Sequence, residues 1–491
     1  MAGATAAGTA LAPGAPGAPG VAVAAGTTGT AEVVVLAVGR GGGPAKAFLE
    51  LVRTDRPAEP IGVPFEGTVR VPVDRGTYLV SVEVQEDRVR TWLVQPGIRV
   101  DGAVTLTADA RAGRPVAIAV PRQDAVPELL EVRYRMPVTG GETWENGFAV
   151  RGDLRGVYYG ALGGERPVDG FRVMVAVTMT AAGAVYFLAW MVYGRLPAGL
   201  ARTLTPGQLS TVRSRFGARV GGAGVTYTRP RMPGGGGVFA AALPLEALPA
   251  RRDDHYNLDA GGVTWRTTFE EPAAGVRLEG PAGTAWNEGV AAPGVDVQEL
   301  PEQWVSRNGD TLVVAARLHG DGAGHPGSAE YARARTAVYR DGVLVAEADA
   351  AEGVFEVPPE PGLFRLEMRA EPAAFGTVVD VAWTFRSEHV PGGDWRRMPL
   401  RAVSFAPVLR ADGTAAAGRA FRFPYRMTTQ ATTAVRPGVE VSYDDGRSWF
   451  PALVTATHVA VAHPGGKGWV SLRATAEGLE QTTLRAYPFG P

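Results

Sequence analysis

The sequence contains no cysteine. Disulfides, thiolate nucleophiles and cysteine-ligated zinc are thereby excluded together. An excess of charge of either sign is also missing: 49 Lys and Arg stand against 50 Asp and Glu, for a net charge of −1. With no basic stripe, nucleic acid is not an expected partner. The familiar catalytic signatures are missing as well. There is no G-x-S-x-G elbow, no H-E-x-x-H, no Walker loop and no G-x-G-x-x-G opening a helix. No cofactor is therefore expected. Lysine and arginine are absent before Arg40, and no unbroken apolar run opens the chain. A secretory signal needs both features, so the chain as written is expected to carry no export signal of its own.

Glycine and proline, by contrast, are plentiful, at 65 and 38 of 491 residues. They punctuate the chain into short elements. The 45 % hydrophobic content is enough for buried cores, and the length suits three to five domains. Residues 1–30 are Ala/Gly/Pro/Thr-rich, with Pro13-Gly14-Ala15-Pro16-Gly17-Ala18-Pro19-Gly20 at their centre. Too few bulky apolar groups occur there to offset the entropy of ordering, so this segment is expected to be a disordered tail.

The stretch Val173 to Gly194 carries no charge and is long enough to cross a bilayer. Two features favour a buried β-hairpin instead. Ala181-Ala182-Gly183-Ala184 divides it into two arms rich in Val, Thr, Tyr, Phe and Trp, and Thr178 and Thr180 alternate with Val177 and Met179. No membrane span is expected.

Alternating strands recur on both sides of this hairpin. Val33–Leu36, Phe48–Val52, Thr68–Pro72, Thr77–Val82, Val104–Ala108 and Val116–Val120 define a first unit over 31–121. Pro72 followed by Gly76-Thr77-Tyr78 resembles the carboxypeptidase-regulatory or transthyretin-like sandwich, in which the tyrosine begins an inward-facing strand. A second unit, 122–272, holds the hairpin and an expected helix near 205–216. Thr205-Pro206-Gly207-Gln208 reads as a capping box, and Leu209, Val212 and Phe216 follow at helical spacing. A third unit, 273–392, has turn dipeptides Asn308-Gly309 and Asp341-Gly342 between strands. A fourth, 393–491, has the strand spacing of an immunoglobulin-like sandwich. The expected fold is mainly β: tandem antiparallel sandwiches with one short helix.

Four groups of residues invite a chemical reading. His319, Asp321 and His325 lie in the glycine-rich run Leu318–His325 and are weak metal candidates, since imidazole and carboxylate suit a divalent ion but no third histidine lies nearby in sequence. The plainer reading is a loop whose polar side chains satisfy its own backbone. Ser442, Asp444, Gly446 and Trp449 fit the aspartate-box pattern S-x-D-x-G-x-[ST]-W, a structural hairpin whose single copy argues against a propeller. Asp253-Asp254-His255 and Glu270-Glu271 read as solvated turn residues, because neighbours in a strand face opposite ways. Trp144, Trp286, Trp304 and Trp395 suit either a sugar-stacking platform or a core. Catalytic residues: none.

Several stretches together carry a family resemblance. They are Val116–Arg122, Tyr186–Leu196, Gly320–Gly327, Ala337–Val343, Ala382–Val390, Val439–Trp449 and Val470–Ala474. In this order they resemble the C-terminal region of large secreted subtilisin-like serine peptidases of actinobacteria. The subtilase Asp, His and Ser blocks are not present; the one His-Gly, His319-Gly320, runs into Asp321. The resemblance thus implies a non-catalytic, extracellular accessory region. Its implied partners are a subtilase catalytic domain, a protein or a cell-wall polymer. A free-standing carbohydrate-binding or adhesion protein is the alternative.

Overall fold

In the computed structural model the described residues are 30–163, 167–235, 239–294, 304–410 and 413–491. The expected tail, but for Thr30, lies outside them. Strands make up 63 % of the chain against 3 % helix, and among the described residues no sheet closes into a barrel. The protein is therefore mainly β, built of antiparallel sheets packed face to face.

Alternation explains the first pair of sheets. Ala31–Val38 runs between Thr68–Val73 and Ala103–Asp109, antiparallel to the first and parallel to the second. Val33, Val35, Val69 and Val71 point from this small sheet into a core shared with Leu49, Leu51, Val80 and Val82. Those last four belong to the second sheet, formed by Ile61–Glu66, Lys46–Arg53, Gly76–Glu86 and Val89–Val100. Tyr78 is buried and its hydroxyl donates to the Asp74 carbonyl (2.8 Å), which pins the turn before its strand.

The opposite face of that second sheet is apolar too. Val52, Leu79, Trp92 and Val94 pack on Val173, Val175, Val177, Tyr186, Leu188 and Trp190. These last six lie on the uncharged hairpin, whose strands Arg172–Ala181 and Ala184–Tyr193 pair from Arg172↔Tyr193 to Ala181↔Ala184. Gly183 takes the turn at φ +73°. The hairpin's other face, Met174, Ala176, Phe187 and Ala189, packs on Leu243 and Trp265 of a fourth sheet. Buried on both faces, the hairpin has no position that favours charge, and this accounts for its membrane-like composition. Among the described residues no helix is long and apolar enough to cross a membrane.

A second lobe follows. One core joins residues from Val290 to Phe489. Its main sheet runs in the order Val343–Ala348, Tyr331–Arg340, Gly362–Pro372, Val378–Ser387, Leu479–Gly490, Gly468–Ala476, Gly438–Ser442, Phe450–Pro451. Asp341 and Gly342, at φ +48° and +83°, make the two-residue turn between its first pair of strands.

Two expectations need correction. The capping box at Thr205 forms, with Gln208 Oε1 accepting from the Thr205 amide (2.9 Å), but it closes a single 3₁₀ turn, Pro206–Gln208. Leu209–Phe216 is a strand paired antiparallel to Ala250–Asn257. The expected units also do not end their sheets. Val157–Ala161 and Leu200–Thr203 extend the sheet of the first unit past 121. Thr264–Glu271 pairs with Val276–Pro281 across 272, and Val378–Ser387 pairs with Leu479–Gly490 across 392. Runs of successive strands suggested these positions, whereas backbone pairing is decided by which strands share a core.

Candidate functional site

The densest polar cluster lies where the two lobes meet, around Glu271, Asn287 and the loop 319–327. Glu271 ends the strand Thr264–Glu271 and is 0 % exposed. Its carboxylate accepts from three consecutive amides, Arg219 (2.8 Å), Val220 (2.8 Å) and Gly221 (2.7 Å), and from Asn287 Nδ2 (2.6 Å). Successive N–H groups curled around an anion form a nest. The expectation that Glu270 and Glu271 are both solvated is thus corrected. Glu270 meets Arg277 near the surface (2.7 Å), while Glu271 is the buried anchor of a loop about fifty residues earlier in sequence.

Asn287 links this nest to the glycine-rich loop. Its backbone takes the left-handed conformation (φ +57°), and its N–H donates to Asp321 Oδ2 (2.9 Å). The Arg219 guanidinium donates to Asn287 Oδ1 (3.1 Å) and to the Gly289 carbonyl (2.7 Å). Burial pushes the Arg219 pKa down, opposed by the nearby Asp321 and Glu271 charges.

Asp321 Oδ1 accepts from the amides of Ala323 and His325 (3.0 Å each), and Oδ2 from His325 Nδ1 (2.9 Å). A carboxylate only accepts, so Nδ1 carries the proton. The His325 ring lies flat on Trp286, with centroids 3.8 Å apart and planes 5° off parallel. His319 faces elsewhere: Nδ1 meets the Tyr331 hydroxyl (3.3 Å) and Nε2 the Thr377 carbonyl (3.2 Å). Burial pushes the His319 pKa down to about 4. The two imidazoles thus have separate partners, and Asp321 is spent on N–H groups. Among the described residues no three His, Cys, Asp or Glu converge as metal ligands.

Asp254 is a second buried carboxylate, 4 % exposed, not the solvated turn residue expected. It accepts from Arg252 Nε (2.6 Å) and the Ser214 hydroxyl (2.5 Å), tying Ala250–Asn257 to Leu209–Phe216. Its neighbour Asp253 is half exposed, and His255 stacks on Tyr186 at 4.6 Å. The aspartate-box residues form a tight turn. Asp444 accepts from the Ser442 hydroxyl (2.8 Å) and from the Ser448 amide and hydroxyl (2.9 and 2.5 Å). Ser448, first among these, holds the Asp444 pKa down at about 2. Trp449 lies beneath the Arg473 guanidinium, 4.2 Å from it. Of the four tryptophans considered for sugar stacking, Trp286 and Trp304 are buried, and Trp144 and Trp395 are half buried.

Sequence reasoning passed over Arg219, Arg252, Ser214 and Asn287. Only the sign of Arg252 next to Asp254 hinted at a pair; the other three contacts are long-range.

No family model matches the chain, and no curated protein is similar to it. Among solved structures it is similar to trypsin-activated alpha-2-macroglobulin from Escherichia coli. The identity is 12 % over 91 % of this chain and 39 % of that one, with a TM-score of 0.12. The chain spans 39 % of that protein's length, and at this score the likeness carries no argument.

Proposed function

We propose that this chain is a non-catalytic accessory region that stabilises or positions a secreted peptidase of the subtilisin-like class. The observation that carries the reading is how the chemically able side chains are used. Glu271, Asp254, Asp321, His319 and His325 are each held, buried, by partners that tie one segment to another. A general acid or base must instead reach substrate. The stretches that resemble subtilase C-terminal regions include two of these structural turns, Gly320–Gly327 and Val439–Trp449. The carbohydrate-binding alternative loses support because Trp286 and Trp304 are core residues.

The test is the size of the native product, blotted with antibody to residues 393–491. A secreted species far heavier than 51.5 kDa is expected. A cell-bound species near 51.5 kDa overturns the reading.

A further inference from the structure

The strand Tyr331–Arg340 is paired unevenly. Gly362–Pro372 runs along its whole length on one side, from Tyr331↔Pro372 to Arg340↔Phe364. On the other side Val343–Ala348 covers only Thr336 to Arg340. The chain then leaves through 349–352 to Gly353–Glu356, a strand of a different sheet. Residues 331–335 are left as an open edge. Alternate residues of such an edge direct their N–H and C=O groups outward, and no other strand among the described residues meets them.

This edge borders a groove of about 810 Å³, lined by Ala316, Ala329, Ala334 and Ala351 among others. Tyr331, Ala334 and Ala351 pack against the core of the second lobe, so the inner side of the groove is apolar. The Thr336 hydroxyl donates to the Ala350 carbonyl (2.7 Å), which holds 349–352 across one end. Asp349 and Glu352 stand at that end, and Arg333 lies along the edge itself. A line continued from Val343–Ala348 enters the groove at the acidic end and runs antiparallel to 331–335. Five extended residues span about 17 Å along it.

We propose that this edge takes up an extended segment of a partner protein as an added strand, antiparallel to 331–335. Its leading end, an N-terminal ammonium, meets Asp349 and Glu352, its small apolar side chains face the alanines, and an acidic side chain stands beside Arg333. A row of outward backbone donors and acceptors is matched by another polypeptide, and the charge at one end sets the direction of entry. The inference does not depend on the peptidase reading.

The probe is the synthetic peptide Ala-Val-Glu-Val-Thr with a free amino end and a fluorophore at its carboxyl end. It is titrated with the full chain by fluorescence anisotropy, and hydrogen exchange of the 331–335 amides is followed alongside. Saturable binding that slows this exchange is expected. Acetylating the amino end should weaken binding roughly three- to tenfold, as should Asp349→Asn combined with Glu352→Gln, and the two changes together should add little. Ladder bonds use alternate residues, so N-methylation of either the glutamate or both valines should cost at least about tenfold while the other leaves affinity nearly unchanged. Melting curves show whether the variant is folded, and the peptide changes need no protein variant at all. Four outcomes overturn the proposal. They are no saturable binding, binding that leaves exchange at 331–335 unmoved, equal affinity for the free and acetylated peptides, or a dimer in sedimentation equilibrium that slows the same amides, which would make a second copy the occupant.

Discussion

Replacing Glu271 by glutamine keeps the shape of the side chain and removes its charge. In the native protein one carboxylate oxygen accepts from Val220 and Gly221, and the other from Arg219 and Asn287. An amide fills one of those two places with a donor, whichever way it turns, so two N–H groups then face an N–H. Hydrogen bonds to a charged group contribute about 1.5–3 kcal/mol each, and an orphaned buried donor costs about 1–3 kcal/mol. Val220 is more than half exposed, so water can reach part of the freed backbone. The net loss is therefore about 2–4 kcal/mol, at the upper end of single substitutions. Glu270→Gln is the control, since its surface pair with Arg277 is worth about 1 kcal/mol or less. Hydrogen exchange of the 219–221 amides reads the effect locally. It should speed up by roughly 30- to 1000-fold in Glu271→Gln and hardly at all in Glu270→Gln. Exchange within threefold of the native rate in Glu271→Gln would refute the nest as an anchor.

Burial gives further expectations. His319, with a folded pKa near 4 against about 6.5 unfolded, is neutral in the fold. Its folded pKa is depressed, so the unfolded chain binds the proton first. Stability is complete above about pH 6.5 and falls by about 3 kcal/mol as pH drops to about 4. Urea titrations at several pH values should show this slope reduced in His319→Gln; an unchanged slope contradicts it. Breaking the Arg252–Asp254 pair with Asp254→Ala should cost about 3–5 kcal/mol, while an apolar pair at both positions recovers most of it. Equal loss in the single and double variants would contradict that account. Asp444→Ala should admit protease cleavage within 443–449 while the rest of the chain stays resistant, and native-like resistance there would show the turn holds without its carboxylate.

The sequence made the strands legible where burial alternates or where both faces are apolar. The uncharged hairpin, the Asp341-Gly342 turn and the strand beginning at Gly76-Thr77-Tyr78 all lie where pattern places them. Leu209–Phe216 misled because its inward positions include Ser214, a polar residue buried only because Asp254 accepts from it. With Ser214 counted as outward, Leu209, Val212 and Phe216 have helical spacing. Glu271 was hidden for the same reason: its amide partners at 219–221 lie far away in sequence, and nothing local marks a nest. The expected unit boundaries followed runs of successive strands, which carry no information about strands that pair across about a hundred residues, as Val378–Ser387 and Leu479–Gly490 do.

Continuity of the sheets is the foundation of the scaffold account, and limited proteolysis with mass mapping tests it most directly. With the sheets paired across 121, 272 and 392, brief digestion should leave peptides spanning all three positions intact. Early cleavage at those positions, releasing separately folded pieces, would contradict it.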